Sequence, residues 1–326
     1  MWREERGGRS FNPVGRALQA RCRGVSLGLQ RVLTDFGAES GYARAVAQVK
    51  EHYGVEVNAS GVRAATLRHG AEMAARQAER VELRRGGVAQ VIAEMDGSMI
   101  PLVTIKAGSG DGRKRRAVEW REARLCLARE AGRVERRYGA CLGSVEEAGG
   151  QWRRAVALAG GGQRTEVHGL GDGAVWIARQ CAAQFGSRGR YLVDFYHVSE
   201  YLSAAGRALG HGQEWLVKQQ ERLKRNEIAE VLEELREGLE VLEVKVCVGY
   251  LEERGEQLDY AGALAAGLPI GSGEIESSHR HVIQARLKRS GGWWSASGAR
   301  AMLGLRVERA NGGWEDYWAE QRRLSP

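Results

Sequence analysis

The stretch "TEVHGLGDGAVWIARQCAAQFG", residues 165–186, is followed three residues later by "GRYLVDFYHVSEYLSAAGRAL", residues 189–209. Each begins as a short apolar run and passes into a helical pattern. The first run ends near Asp172; the second covers 190–195 and ends near Asp194. Two successive strand-then-helix units imply an α/β fold, because parallel strands need a crossover connection. Upstream the texture differs. "VAQVIAEMDGSMIPLVTIK" (88–106) is apolar and β-branched, with Asp96-Gly97 placed as a hairpin turn. After the basic turn "GSGDGRKRRA", "VEWREARLCLARE" and "RVERRYGACLG" read as further strands, and "GQWRRAVALAG" as a helix. Hairpins followed by strand–helix units predict a mixed sheet with flanking helices.

Outward from this core the chain reads as helical. Ile228, Val231, Leu232, Leu235, Leu239, Leu242 and Val246 recur at steps of three and four, which predicts a long amphipathic helix within 213–254. "AAGLPIGSGE" breaks it. The tail "SASGARAMLGLRVERANGGWEDYWAEQRR" is helical again, with Trp314, Tyr317 and Trp318 grouped as a core anchor. Near the start, "GAESGYARAVAQVKEHYGVEV" and "VNASGVRAATLRHG" predict two helices around a turn at Gly54. Ser60 stands as N-cap, and Arg63, Arg68 and His69 as exposed residues. That layout suits a helix-turn-helix or a plain helical hairpin. The expected segments are an irregular basic N-terminus (1–36), a helix-turn-helix-like segment (37–85), the first part of the core (86–212), a helical insertion (213–266) and a C-terminal catalytic helix with its tail (267–326).

Bulk properties bound the function. The 326 residues carry 49 Lys+Arg against 41 Asp+Glu, a formal charge of +8 that leans towards a polyanionic partner. No apolar run approaches the roughly 18 residues that span a bilayer, so no membrane role is expected. Cys22, Cys126, Cys141, Cys181 and Cys247 are scattered, without zinc or disulfide spacing. A reducing cytoplasm fits.

Position selects among the acids. Asp96 and Asp172 each close an apolar run, where a side chain is held rigidly at the ligand-binding edge of an α/β sheet. In "GSGEIESSHRHVIQARLKRSGGWW" (271–294), Glu274 or Glu276 opens a predicted helix after a glycine-rich turn. Three converging carboxylates make a hard-oxygen site for Mg²⁺. The competing reading gives each acid a turn or cap role. Asp194 would cap a helix one turn ahead of His197.

Taken in order, "MDGSMIP", "LGDGAVWI", "VDFYHVSEYL", "GLPIGSGEIESSHRHVIQARLKRSGGWWS" and "LGLRVERANGGWEDYW" resemble bacterial insertion-sequence DDE transposases of the ISKra type, relatives of the mutator-type elements. The resemblance implies a ribonuclease-H-like core and metal-dependent DNA strand cleavage and strand transfer at element ends. It implies catalytic and metal-binding roles for Asp96, Asp172 and Glu276 on two Mg²⁺ or Mn²⁺ ions. Glu274 falls on a variable motif position. Asp194 and His197 take supporting roles. Arg63, Arg68, Arg280, Arg286 and Lys288 would contact DNA, with Trp293 or Trp294 stacking on a displaced base. The implied partners are double-stranded DNA (terminal inverted repeats and target) and further copies of the chain, in a bacterial cytoplasm at the nucleoid. The chain departs from the family in its abrupt basic start, and around "EWREARLCLA", where Arg121, Glu122 and Arg124 replace the usual pattern. The alternative is a truncated, non-catalytic relic that only binds DNA.

Overall fold

The structure is a computed structural model and describes residues 25–324; Cys22 and most of the expected irregular N-terminus lie outside them. Its centre is a five-stranded mixed sheet in the order β3-β2-β1-β4-β5. The strands are β1 (Gln90–Ile105), β2 (Arg116–Glu130), β3 (Arg137–Cys141), β4 (Glu166–Gly171) and β5 (Gly189–Val193). β1, β2 and β3 are antiparallel neighbours, whereas β1–β4 and β4–β5 are parallel. The fold is therefore mixed α/β, as the two strand–helix units require.

Side-chain alternation assigns the faces. Val91, Ala93, Met95, Cys126 and Ala128 pack on α4 (Val145–Leu158) and α5 (Val175–Phe185), through Trp152, Val156 and Ile177. On the other face, Ile92, Leu170 and Leu192 meet α6 (Phe195–Ala208) and the helices after it. Ile100, Leu102, Leu125 and Leu127 meet the C-terminal helices.

Asp96-Gly97 is not a turn. β1 runs straight through both residues, paired to Leu125 and Arg124, and the hairpin reverses after Ile105. The local turn preference of Asp-Gly loses to an unbroken run of cross-strand pairs on both sides.

The expected long helix is three: α7 (Gln213–Lys224), α8 (Ile228–Arg236) and α9 (Leu242–Glu253), followed by α10 (Tyr260–Ala265). Asn226 breaks it in the left-handed region (φ 60°), its amide bonded to Asp259 Oδ1 at 2.7 Å. A second break, at 237–241, shifts the phase of the stripe: Leu242 and Val246 are exposed, while Val231 and Leu235 are buried.

At the front, Ser26 caps α1 (Leu27–Glu39), so the later part of the segment expected to be irregular is helical. Its buried Leu27, Leu33 and Ala38 supply the reason. α2 (Tyr42–Tyr53) turns at Gly54 (φ 64°) into α3 (Ala59–Gln77). Asn58, not Ser60, is the cap, accepting from the Gly61 amide. His69 is buried rather than exposed. Its ring meets Tyr317 Oη at 2.6 Å and Gln30 Oε1 at 3.0 Å, against Trp318.

The C-terminal part comprises α11 (Gly273–Ser278), a π-helical turn (His279–Gln284), α12 (Ala285–Leu287), α13 (Ala296–Ala310) and α14 (Trp314–Arg323). Tyr317 and Trp318 are each 1% exposed, the anchor that the sequence leads one to expect. Among the described residues, no helix is long and apolar enough to cross a membrane.

Candidate active site

The β1–β4 register explains the 76-residue spacing. Gln90 pairs with Glu166 and Glu94 with Leu170, so each β4 residue stands 76 positions after its β1 partner. The ladder ends at Glu94↔Leu170, two residues before the level at which Asp96 and Asp172 would stand. Parallel neighbours lie about 4.8 Å apart, and side chains at one level share a face. Asp96 is thus inside its own strand yet at the edge of β1–β4 pairing. Its Oδ1 accepts from the Gly97 amide at 2.6 Å, and Asp172 Oδ1 from Ala174 at 2.9 Å.

α11 brings the third acid to this face. Burial, followed by the like charges of Asp172, Glu276 and Glu122, pushes the Asp96 carboxyl up to about 6. Asp172 and Glu276 thus both lie near enough to act on Asp96. Among the described residues, Asp96 has an ion-pair contact only with His279, and Asp172 and Glu276 have none.

The two glutamates of α11 differ. Glu274 Oε1 receives Arg129 Nη2 at 2.8 Å, and Oε2 receives Arg136. Burial would raise its pKa, but these arginine bonds outweigh it and hold the carboxyl low. Glu276 is exposed. Glu274 is a clasp between the helix and β2; Glu276 has no such arginine partner among the described residues.

Asp194 is buried and fully used. Oδ1 accepts from the amides of Tyr196 (2.6 Å) and His197 (2.9 Å), and Oδ2 from the Ser272 amide and hydroxyl. It caps α6 and holds the turn before α11. His197 stands beside Glu200, Tyr201 and Tyr250. Tyr250 Oη in turn donates to the Asp172 carbonyl at 2.7 Å, and Arg254 Nε to Gly173 at 2.9 Å, so α9 supports the Asp172 loop.

The expected DNA contacts divide. Arg63, Arg280 and Lys288 are exposed, whereas Arg68 is half-buried beside Glu72. Arg286 is buried, and this corrects its expected phosphate role. Its guanidinium lies between Tyr42 (4.8 Å) and Trp294 (4.9 Å), with Nε donating to the Gly37 carbonyl. The π turn is the physical cause. Its i→i+5 bonds insert about one residue and rotate later positions by roughly 100°. Trp294 is core, and Trp293 is exposed.

Two residues escape sequence reasoning. Glu94, on the same strand face as Asp96, is fully buried. Its Oε2 accepts from the Ile275 amide at 2.8 Å, tying α11 to β1, and its Oε1 has no partner. Burial pushes it up to about 8. His279, one turn after Glu276, sets Nε2 3.3 Å from Asp96 Oδ2 outside hydrogen-bond geometry, and burial pulls it down to about 4. An acid in an apolar run was the only available signal for Glu94; nothing local pointed to His279.

The fold is mixed α/β, with Asp96 and Asp172 just past the point where the β1–β4 ladder ends. The chain belongs to the family described as uncharacterised protein family UPF0236, whose profile matches residues 17–322. Two UPF0236 proteins of Caldanaerobacter subterraneus subsp. tengcongensis are each 27% identical to it over 179 residues, covering 49% of this chain. The matches span 34% and 33% of those relatives' own length, about a third.

Proposed function

We propose that this chain is a DDE transposase with a ribonuclease-H-like core, cutting and joining DNA strands at insertion-sequence ends. The observation that carries the reading is the β1–β4 register, which gives Asp96 and Asp172 one level and one face, with Glu276 coupled to them. The order β3-β2-β1-β4-β5, antiparallel on one side of β1 and parallel on the other, supports the ribonuclease-H-like assignment.

The donor set fits hard divalent cations, being oxygen only and unpaired by arginine or lysine. Among the described residues, no group of three or more His, Cys, Asp or Glu side chains is close enough to chelate an ion as it stands. The carboxylates are close enough to raise the Asp96 proton affinity. Asp96, Asp172 and Glu276 would hold two Mg²⁺ or Mn²⁺ ions, which when bound activate the attacking oxygen and stabilise the leaving one. In the first step a water oxygen bonds to the scissile phosphorus, the P–O3′ bond breaks, and the strand leaves with a 3′ hydroxyl. In the second, that hydroxyl oxygen bonds to a target phosphorus, the target's own P–O3′ bond breaks, and the target strand leaves with a 3′ hydroxyl. Glu94, Asp194 and Ser272 fix where α11 begins, and so where Glu276 stands. His279 keeps Asp96 company in a dry setting. Arg280 and Lys288 serve phosphates, and the exposed start of α3, with Arg63, suits a helix-turn-helix contact. Double-stranded DNA is the partner, bound by more than one copy.

The test is nicking of terminal-repeat DNA in Mg²⁺ or Mn²⁺. Glu276→Gln is expected to lower the rate by at least about a thousandfold, and Glu274→Gln to act mainly on stability. Equal loss in both would refute the choice of Glu276. Binding without any nicking by the unaltered chain would favour the DNA-binding relic.

A further inference from the structure

Beyond Asp96 the sheet narrows. β4 leaves β1 after Glu94, and β3 leaves β2 at Arg124. From Ser98↔Ala123 outward to Ile105↔Arg116, β1 and β2 continue as a two-stranded ribbon, roughly 25 Å long at about 3.4 Å per residue. One ribbon face is covered. Ile100 and Leu102 are buried near Trp294, whose carbonyl accepts from the Val103 amide at 2.7 Å. The other face is bare and apolar: Met99, Val118, Trp120 and Ile105 are 45%, 50%, 59% and 64% exposed.

A lone ribbon is marginal in water, and a contiguous bare apolar face marks an interaction surface. Charge indicates the partner. Between 105 and 121 the sequence places Lys106, Arg113, Lys114, Arg115, Arg116 and Arg121 against Asp111 and Glu119. Glu119 is already paired with Arg121 at 2.7 Å. The Arg116 guanidinium lies 4.3 Å above the half-exposed Trp293 ring. A cation over the exposed Trp293, a second exposed indole at Trp120 and a basic ribbon tip suit a polyanion that also offers flat apolar faces, which is an unpaired nucleic-acid strand.

We propose that the outer β1–β2 ribbon is a binding arm for single-stranded DNA, with a base stacked on Trp120 and phosphates held by the tip cations, Lys106 and Lys114 among them. The proposal rests on the strand-transfer reading. The ribbon departs just beyond Asp96, so a strand held on it ends near the level of the site, on the sheet face opposite the Asp96 carboxylate.

The experiment measures fluorescence anisotropy of labelled blunt duplex and of duplex with a single-stranded overhang, using the full chain in EDTA. Overhang DNA is expected to bind more tightly than blunt duplex. Trp120→Ala should weaken overhang binding at least about tenfold and leave blunt duplex unchanged, and Trp120→Phe should retain most of the affinity. Circular dichroism checks that the variants fold. Unchanged overhang binding by Trp120→Ala overturns the arm. So does Trp120-dependent binding to phosphatidylserine vesicles, or Trp120-dependent self-association in light scattering, in place of overhang binding. Loss of the Trp120 effect with nicking intact sinks the arm alone. Trp120-dependent binding with no nicking in Mg²⁺ sinks the catalytic reading alone.

Discussion

β1 has two ends that obey different rules. From Val91 to Met95 it is flanked by β2 and β4 and covered on both faces, and every residue is buried, Glu94 included. From Ser98 to Ile105 it keeps only β2 as a ladder partner and is covered on one face, so burial alternates until the tip. Asp96 and Gly97 lie at the change, both half-buried. The contrast teaches that a carboxylate can be held rigidly at a sheet edge without standing at a strand terminus. It needs the place where one neighbour departs while the other keeps the backbone rigid. The first end supplies stiffness and a low-dielectric setting; the second is free to meet a partner.

Removing one methionine from each end should expose the difference most strongly. Met95 is fully buried among Trp152, Val156 and Ile177, and Met99 is 45% exposed. Met95→Ala is expected to cost about 2–5 kcal/mol, and Met99→Ala to stay within about 0.5 kcal/mol. Denaturant unfolding monitored by circular dichroism measures both. Similar losses would mean that the outer ribbon is packed against something in solution.

Much of this was legible in the sequence. The strand–helix units at 166–208 encode parallel strands through local pattern, and the aromatic trio at 314–318 declares itself by volume. The illegible parts are those where distant contacts overrule local preference. Asp96-Gly97 favours a turn until β2 pairs across it. The 228–246 periodicity hides the break at 237–241, and nothing local announces the one at Asn226, which is held by Asp259, 33 residues away. Arg286 reads as a surface cation until the π turn rotates it inward between two rings. Glu94 carries no local sign of its role beyond standing in an apolar run; its partner is an amide 181 residues later.

Glu94 offers the next test, through pH. Burial raises its folded pKa to about 8 from an ordinary value of 4.5. In that window the folded state binds the extra proton, so Glu94 stabilises the fold below about 4.5 relative to higher pH. This contribution is lost as pH rises through about 8. Glu94→Gln keeps an acceptor for the Ile275 amide and cannot ionise. It should flatten the fall in Tm between pH 6 and 9 and be the more stable chain at pH 9, on the order of 2 kcal/mol. A parallel fall in both proteins would assign the pH dependence elsewhere. No such buried acid exists on the outer ribbon, where Glu122 is half-exposed and bonded to Arg124.

The smallest effects come from two glycines beside the acids, and they separate backbone need from mere proximity. Gly173 has φ +85°, and a Cβ there would stand 2.1 Å from the Tyr250 hydroxyl that supports the Asp172 carbonyl. Gly173→Ala meets a strained backbone, worth roughly 1–2 kcal/mol, and displaces that support, so stability and nicking should both fall. A Cβ at Gly97 would also meet a neighbour at 2.1 Å, but the neighbour is Glu122 Oε1, the far end of a flexible side chain. Gly97 has ordinary strand dihedrals, so Ala is locally acceptable and the carboxylate can swing aside. Gly97→Ala is therefore expected to cost less than about 1 kcal/mol and to spare the fold. If thermal unfolding ranked Gly97→Ala as the more damaging of the two, Glu122 would be fixed in place. The start of the ribbon would then belong to the rigid end of β1, and the boundary at Asp96 would have to move outward.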